Sequence, residues 1–244
     1  MLKLRHLNKN FGGIKAVNNC SLEIKENSIT ALIGPNGSGK TTLFNLISGI
    51  LKKDNGEIYF NNQDITNQQI YEISNLGVSK LFQQSKLFDN FSVRENLELA
   101  LNKEDTRFLK SLTNSKISKE NSKKIQEISK LMNINLFMEK QTKNLSYGQK
   151  RLVEIARTIL NPHKILLLDE PVAGVNPKLK KEIIKIILNL KKQGETILFI
   201  EHDLNFTLSI ADNIIVMDKG EIIAQGNPSK IKNNPKVIET YLGE

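Results

Sequence analysis

An α/β fold is predicted for this chain, with an antiparallel β-subdomain at the N-terminus and an α-helical subdomain inserted ahead of a parallel-sheet core. Three observations predict it. Near the N-terminus, Leu2-Lys3-Leu4 and Ser21-Leu22-Glu23-Ile24 alternate apolar and polar side chains, the two-residue period of half-buried strands. The middle of the chain changes to helical periodicity. In the last third, strand and helix signals alternate, as parallel strands joined by helical crossovers do.

The elements follow in order. Ile29-Thr30-Ala31-Leu32-Ile33 is nearly all apolar, which predicts a strand covered on both faces, and it runs into a Gly-rich turn and a helical run over 42–50. Residues 56–60 read as another short strand. Ser92-Val93-Arg94-Glu95 forms a capping box that opens a helix through Leu97, Leu99 and Leu101. From 102 to 124 the chain turns to Lys, Asn, Ser and Thr, which predicts a solvated loop or a weakly packed helix. Ile125, Ile128, Leu131 and Met132 restore the helical period. Residues 164–168 and 196–200 read as strands on either side of a helix that starts at Pro177. That helix carries the stripe Leu179, Ile183, Ile186, Ile187 and Leu190 and stops at Gly194. Residues 213–217 and 221–224, around Asp218-Lys219-Gly220, predict a closing hairpin.

Composition narrows the class. With 244 residues, 39% hydrophobic and 25% charged, the chain can bury a core and is not a disordered segment. No apolar run approaches the roughly 18 residues that span a bilayer. The start lacks the apolar stretch of a secretion signal, and a lone Cys20 builds no intramolecular disulfide, so a cytoplasmic location is expected. The net charge of +9 suits nucleic acid, anionic lipid or a polyanionic ligand. The basic residues are spread through the chain, however, and read as solvated surface charge rather than a nucleic-acid face.

Gly34-Pro35-Asn36-Gly37-Ser38-Gly39-Lys40-Thr41 matches G-x-x-x-x-G-K-[ST], after a buried strand and before a helix. The glycines let successive amides converge on phosphate oxygens, the helix N-terminus adds partial positive charge, and Lys40 adds a full one. The Thr41 hydroxyl is suited to Mg²⁺. A second apolar strand ends in acid, Ile165-Leu166-Leu167-Leu168-Asp169-Glu170. Its carboxylates emerge where open α/β sheets bind ligands. Asp169 suits Mg²⁺, and Glu170 is placed to polarise an attacking water. Together these features predict a P-loop NTPase that hydrolyses ATP or GTP.

Leu145-Ser146-Tyr147-Gly148-Gln149 opens an amphipathic segment through Leu152, Ile155, Ala156 and Ile159, with Ser146 and Gln149 spaced as a capping box. Here the chain resembles the ATP-binding cassette (ABC) ATPases, whose signature is L-S-G-G-Q, with Tyr147 in place of the first glycine. The resemblance covers essentially the whole chain. It implies one cassette with a RecA-like core: residues 1–84 and 158–232 form the nucleotide-binding core with its β-subdomain, 85–157 the helical subdomain, and 233–244 a C-terminal tail. It also implies that ATP is bound by Phe11, Val17, Gly34, Pro35, Asn36, Gly37, Ser38, Gly39, Lys40, Thr41 and Thr42 of one subunit and by Ser146, Gly148 and Gln149 of another. Phe11 then stacks on adenine, with a core Phe the alternative reading of that position. Thr41, Gln83 and Asp169 hold Mg²⁺. Glu170, His202 and Gln83 carry the catalysis, with Gln84 a neighbouring competitor for the glutamine role. Asn176 stands where the family usually has Asp, and Asn176-Pro177 keeps a good helix cap while dropping the charge.

The wording from Glu170 to Pro177, Ile200-Glu201-His202-Asp203, and the ending from Asn234 to Glu244 resemble ATP-binding subunits of bacterial branched-chain amino acid importers. This likeness implies a homodimer, or a heterodimer with a paralogous ATPase, docked on integral membrane permease subunits at the cytoplasmic face of the inner membrane. A substrate-binding protein is an indirect partner, and no nucleic acid is expected. Urea-uptake and lipopolysaccharide-export ATPases are the near alternatives. A nucleic-acid-acting ATPase is the different-class alternative, disfavoured because no sustained heptads lie between Lys40 and Ser146.

Overall fold

The computed structural model describes residues 1–81, 87–101 and 118–242. Strands β1 (Leu2–Phe11), β2 (Ile14–Ile24), β4 (Asn55–Phe60) and β5 (Gln63–Asp64) form an antiparallel sheet in the order β2-β1-β4-β5. Leu2, Leu4 and Leu7 of β1 all point inward although the last two are three residues apart. A register shift between them, with His6 at φ 47°, makes this possible. The bulge resets the two-residue period so that the core face continues.

Strands β3 (Ile29–Ile33), β6 (Val78–Leu81), β7 (Ile165–Asp169), β8 (Ile197–Ile200), β9 (Asn213–Asp218) and β10 (Glu221–Gly226) form the second sheet, ordered β10-β9-β3-β8-β7-β6. All neighbours are parallel except β9 and β10, which form the expected hairpin. Its two loop residues, Lys219 and Gly220, both take positive φ, as a turn matched to strand twist requires. Alternate residues of the parallel strands feed two separate cores. Ile29, Ala31, Ile33, Leu166, Leu168, Ile197 and Phe199 face one, and Leu32, Ile165, Leu167, Leu198 and Ile200 face the other. The all-apolar runs in the sequence are therefore strands covered on both faces. Each such fully buried Leu, Ile or Phe side chain contributes roughly 1.5–3 kcal/mol.

The described helices are α1 (Lys40–Ile47), α2 (Ile70–Asn75), α3 (Val93–Leu101), α4 (Lys119–Leu131), α5 (Tyr147–Leu160), α6 (Pro177–Lys192), α7 (Leu204–Ile210), α8 (Pro228–Lys232) and α9 (Pro235–Leu242). Helix α1 and the antiparallel sheet share one core, through Leu43, Phe44, Leu4 and Ile58, whereas α3, α4, α5 and α6 share the other.

One helix boundary differs from the sequence reading. Helix α1 ends at Ile47 rather than at 50, because Gly49 takes φ 71° and turns the chain away. Helix α4 begins inside the stretch expected to be loop or weak helix: Ser118 accepts the Asn121 N–H at 3.1 Å and starts it. Residues 102–117 of that stretch lie outside the described residues. Helix α5 runs unbroken through 157–158.

The register sets the site. Leu32 of β3 pairs with Ile200 of β8, and Ile200 with Asp169 of β7, so three neighbouring parallel strands end level. The chain leaves β3 toward β6 on one side and leaves β8 toward β9 on the other, which opens a crevice at their carboxyl ends.

Candidate functional site

The Gly-rich loop fills one side of that crevice. A Cβ on Gly34 would lie 2.0 Å from the Met217 carbonyl oxygen, and one on Gly39 would lie 2.1 Å from that of Ala16. Gly39 also takes φ 100°, so only glycine lets the loop press this closely on its neighbours. Gly220 N–H donates to the Ser38 carbonyl at 3.0 Å and Ser38 N–H to that of Pro35 at 3.2 Å, which fixes the curve. Helix α1 starts at Gly39 without a side-chain cap and without an acidic residue in its first turn. Its positive end is thereby left to an external anion. Lys40 is only 5% exposed, and its ammonium donates to the carbonyls of Gly34 and Pro35, each at 2.8 Å. Asn36, Gly37 and Thr41 are exposed, with Thr42 half-buried behind them. Converging amides, one ammonium and an exposed hydroxyl can together hold a polyphosphate.

The acidic strand end lies two strands away. Asp169 is 2% exposed, and its Oδ1 has no hydrogen-bond partner among the described residues. Burial raises its pKa, and the positive charge of Lys80 on β6 opposes the rise. A buried carboxylate oxygen without a donor is costly unless a cation completes it. No group of three or more His, Cys, Asp or Glu forms a metal cage among the described residues. A cation at Asp169 would draw further ligands from hydroxyl, water or phosphate oxygens. Glu170 takes φ 48°, a strained conformation for a non-glycine residue, and its carboxylate lies 3.0 Å from Nε2 of His202 at the end of β8.

Two buried residues that the sequence reading missed hold this strand end. Arg151 of α5 is 3% exposed and donates to the carbonyls of Asp169 at 2.9 Å, Glu170 at 2.6 Å and Pro171 at 3.2 Å, while pairing with Glu154 at 3.0 Å. Glu201, also buried, accepts the Val172 N–H at 2.9 Å and the His202 N–H at 3.3 Å. Burial pushes its carboxyl up to about 7. The first joins the signature helix to β7, and the second joins β8 to the loop after Glu170. Neither carries a local sequence signal, since Arg151 follows Gln149-Lys150 and Glu201 precedes His202-Asp203.

Ser146 caps α5 as expected. Its Oγ accepts the Gln149 N–H at 3.3 Å, and its N–H donates to Gln149 Oε1 at 3.0 Å. The Gln149 amide oxygen is thus committed to the cap, whereas the exposed Ser146 hydroxyl keeps its proton for an anion. A Cβ on Gly148 would lie 2.8 Å from Leu179, so a small residue here lets α5 pack on the start of α6. Asn176 caps α6 through the Leu179 N–H at 2.9 Å, with Pro177 at the first helical position.

The remaining candidates separate. Phe11 is 46% exposed at the end of β1, with the Lys9 ammonium 5.4 Å from its ring centroid, so it is not a core residue. Val17 is fully buried in the core beneath the antiparallel sheet. Its apolar character serves packing. Gln83 and its neighbour Gln84 lie outside the described residues.

A family model described as ABC transporter matches residues 17–173, and one described as branched-chain amino acid ATP-binding cassette transporter matches residues 221–244. The chain is 39% identical over 245 residues to a probable branched-chain amino acid transport ATP-binding protein of Archaeoglobus fulgidus, covering 100% of this chain and 95% of that protein. Among solved structures, a nucleotide-free ATP-binding cassette from an ABC transporter is 37% identical with a TM-score of 0.87, covering 100% of this chain and 99% of the other. A dimeric cassette in a post-hydrolysis state bound to ADP and phosphate is 28% identical with a TM-score of 0.81, covering 93% and 99%. A phosphate loop, an acidic strand end and a serine-capped helix on this frame, with these likenesses over the full length, establish that the chain belongs to the ABC transporter family, among its ATP-binding, ATP-hydrolysing subunits.

Proposed function

We propose that this subunit hydrolyses ATP to drive uptake of branched-chain amino acids through separate membrane subunits. The substrate class rests on the match over residues 221–244 and on the names of the full-length relatives. The ATPase reading is carried by one juxtaposition: the Glu170–His202 pair and the Asp169 oxygen, which has no donor among the described residues, stand at the ends of β7 and β8, level with the strand that feeds the phosphate loop.

Two copies, or this chain and a paralogue, close head-to-tail over two nucleotides, an arrangement supported by likeness to a dimeric cassette. The loop from Gly34 to Thr42 wraps the phosphates and Phe11 stacks on the base. Ser146 and Gly148 of the opposite subunit approach the γ-phosphate with the positive end of α5. Thr41, Asp169 and Gln83 would hold Mg²⁺, which supplies charge neutralisation at the phosphate oxygens. Glu170 accepts the proton of the attacking water, and His202 orients Glu170 and holds the γ-phosphate. Closure moves the attached permease, and hydrolysis reopens the pair. In this reading 85–157 is the lever between nucleotide and permease, and the subunit sits peripherally on the cytoplasmic face. No described helix is long and apolar enough to cross a membrane.

The test is purification from membranes with the integral subunits, reconstitution into proteoliposomes, and uptake of labelled leucine. ATP-dependent accumulation is expected. Urea uptake, lipid export or DNA-stimulated turnover in place of it would overturn the assignment.

A further inference from the structure

Tyr147 stands where the signature usually has glycine, and it makes contacts that glycine could not. Its hydroxyl donates to the Ala173 carbonyl at 3.1 Å. Its ring covers Gly174, where a Cβ would lie 3.1 Å from Cε1 and where φ is 68°. Glycine at 174 thus permits both the turn and the close approach of the ring. The Ala173 peptide in turn donates its N–H to the Glu170 carbonyl at 3.1 Å. Two hydrogen bonds therefore lead from Tyr147 to the backbone of Glu170, the residue held at positive φ. Despite these contacts Tyr147 is 59% exposed, so it is not part of either core. Its N-terminal neighbour is Ser146, the cap that approaches the nucleotide of the other subunit in the function proposed above.

We propose that Tyr147 is a positioning residue that ties the start of α5 to the loop carrying Glu170, so that engagement of Ser146 at one nucleotide site sets the base of the other. The inference rests on the shared-site reading given under Proposed function. Within one protomer the two ends of this tether belong to different nucleotides: Ser146 serves the partner's ATP, and Glu170 serves its own. A rigid link between them makes each site sense the occupancy of the other.

The experiment measures ATP turnover by the intact transporter in proteoliposomes as a function of ATP concentration. Tyr147→Phe keeps the ring on Gly174 and removes the donor, and Tyr147→Gly removes both. Loss of one hydrogen bond should lower kcat about fivefold in the Phe variant. The Gly variant should lose more. In both, KM for ATP should hold and the Hill coefficient should fall toward unity, while nucleotide affinity and melting temperature of the isolated subunit stay unchanged. Wild-type kcat and Hill coefficient in the Phe variant, whose fold has the least to lose, would overturn the inference and leave the shared-site reading standing. A rise in KM with kcat retained would also overturn it, by making Tyr147 a nucleotide contact. Non-cooperative turnover by the wild-type transporter would sink the shared-site reading and the inference with it.

Discussion

Nε2 of His202 lies 3.0 Å from Oε1 of Glu170, so a side-chain hydrogen bond joins the ends of two neighbouring parallel strands. An ionised carboxylate only accepts, which puts the proton on Nε2 and orients the oxygen that a base would use. The backbone contributes as much. Glu170 N–H donates to the Ile200 carbonyl at 3.0 Å, while Arg151 and the Ala173 N–H both hold the Glu170 carbonyl. The positive φ of Glu170 is imposed by these anchors rather than by its own preference.

Glu170→Gln keeps the shape and the contact to His202 but cannot take a proton. Turnover should fall about 10²- to 10⁴-fold, with ATP still bound and closed dimers accumulating. Single-turnover phosphate release and sedimentation with ATP check this. A near-normal rate would remove Glu170 from its assigned role.

His202→Ala separates catalysis from folding. The His202 side chain is 44% exposed, so stability should change by no more than about 0.5 kcal/mol. Turnover should nevertheless drop steeply as Glu170 loses its orienting partner. Thermal melts beside steady-state rates on the same preparation give the comparison, and parallel loss of both would make His202 merely structural.

Arg151→Met should be the most destabilising of these changes. It removes the donors to three carbonyls and leaves Glu154, with its side chain 9% exposed, without its direct ion-pair partner. Breaking such a pair costs about 3–5 kcal/mol. Adding Glu154→Gln should recover part of the loss by removing the charge left without that partner. Urea titrations of the single and double variants measure both effects.

Glu201 gives a pH dependence. Burial raises its folded-state pKa to about 7 from 4.5, so the folded chain binds more protons than the unfolded chain between those values. The contribution is fully present below pH 4.5 and is lost as pH rises through 7, about 3 kcal/mol in all. Glu201→Gln keeps the acceptor for Val172 and cannot ionise. Its stability should match the wild type below pH 4.5 and exceed it above pH 7, which denaturant midpoints at two such pH values would show. Parallel pH profiles would contradict the assignment.

Local patterns were legible in the sequence because their physics is local. The phosphate loop, the apolar run into Asp169 and Glu170, and the caps at Ser92, Ser146 and Asn176 each depend on residues a few positions apart, and each forms where the spacing placed it. Arg151 was not legible. Its acceptors are carbonyls 18 to 20 residues away, and any side chain supplies a carbonyl. Glu201 was hidden for the same reason, since its donor is the backbone of Val172. The burial of Val17 was not legible either, because it depends on how β1 and β2 pair across a shifted register. Helix α4 starts early because Ser118 caps a run of solvated polar residues whose periodicity carries no apolar signal.

The joint grip on one nucleotide by two subunits is tested most directly by proximity across the dimer. Cys20, the chain's single cysteine, is buried, and burial pushes its thiol up to about 11, so it stays unreactive. Asn36→Cys and Ser146→Cys, introduced into the Glu170→Gln chain, then report on the exposed loop and the helix cap alone. Addition of ATP should produce a reducible crosslinked dimer that neither single cysteine variant forms. Saturating ATP binding with no crosslink above the nucleotide-free level would contradict the account.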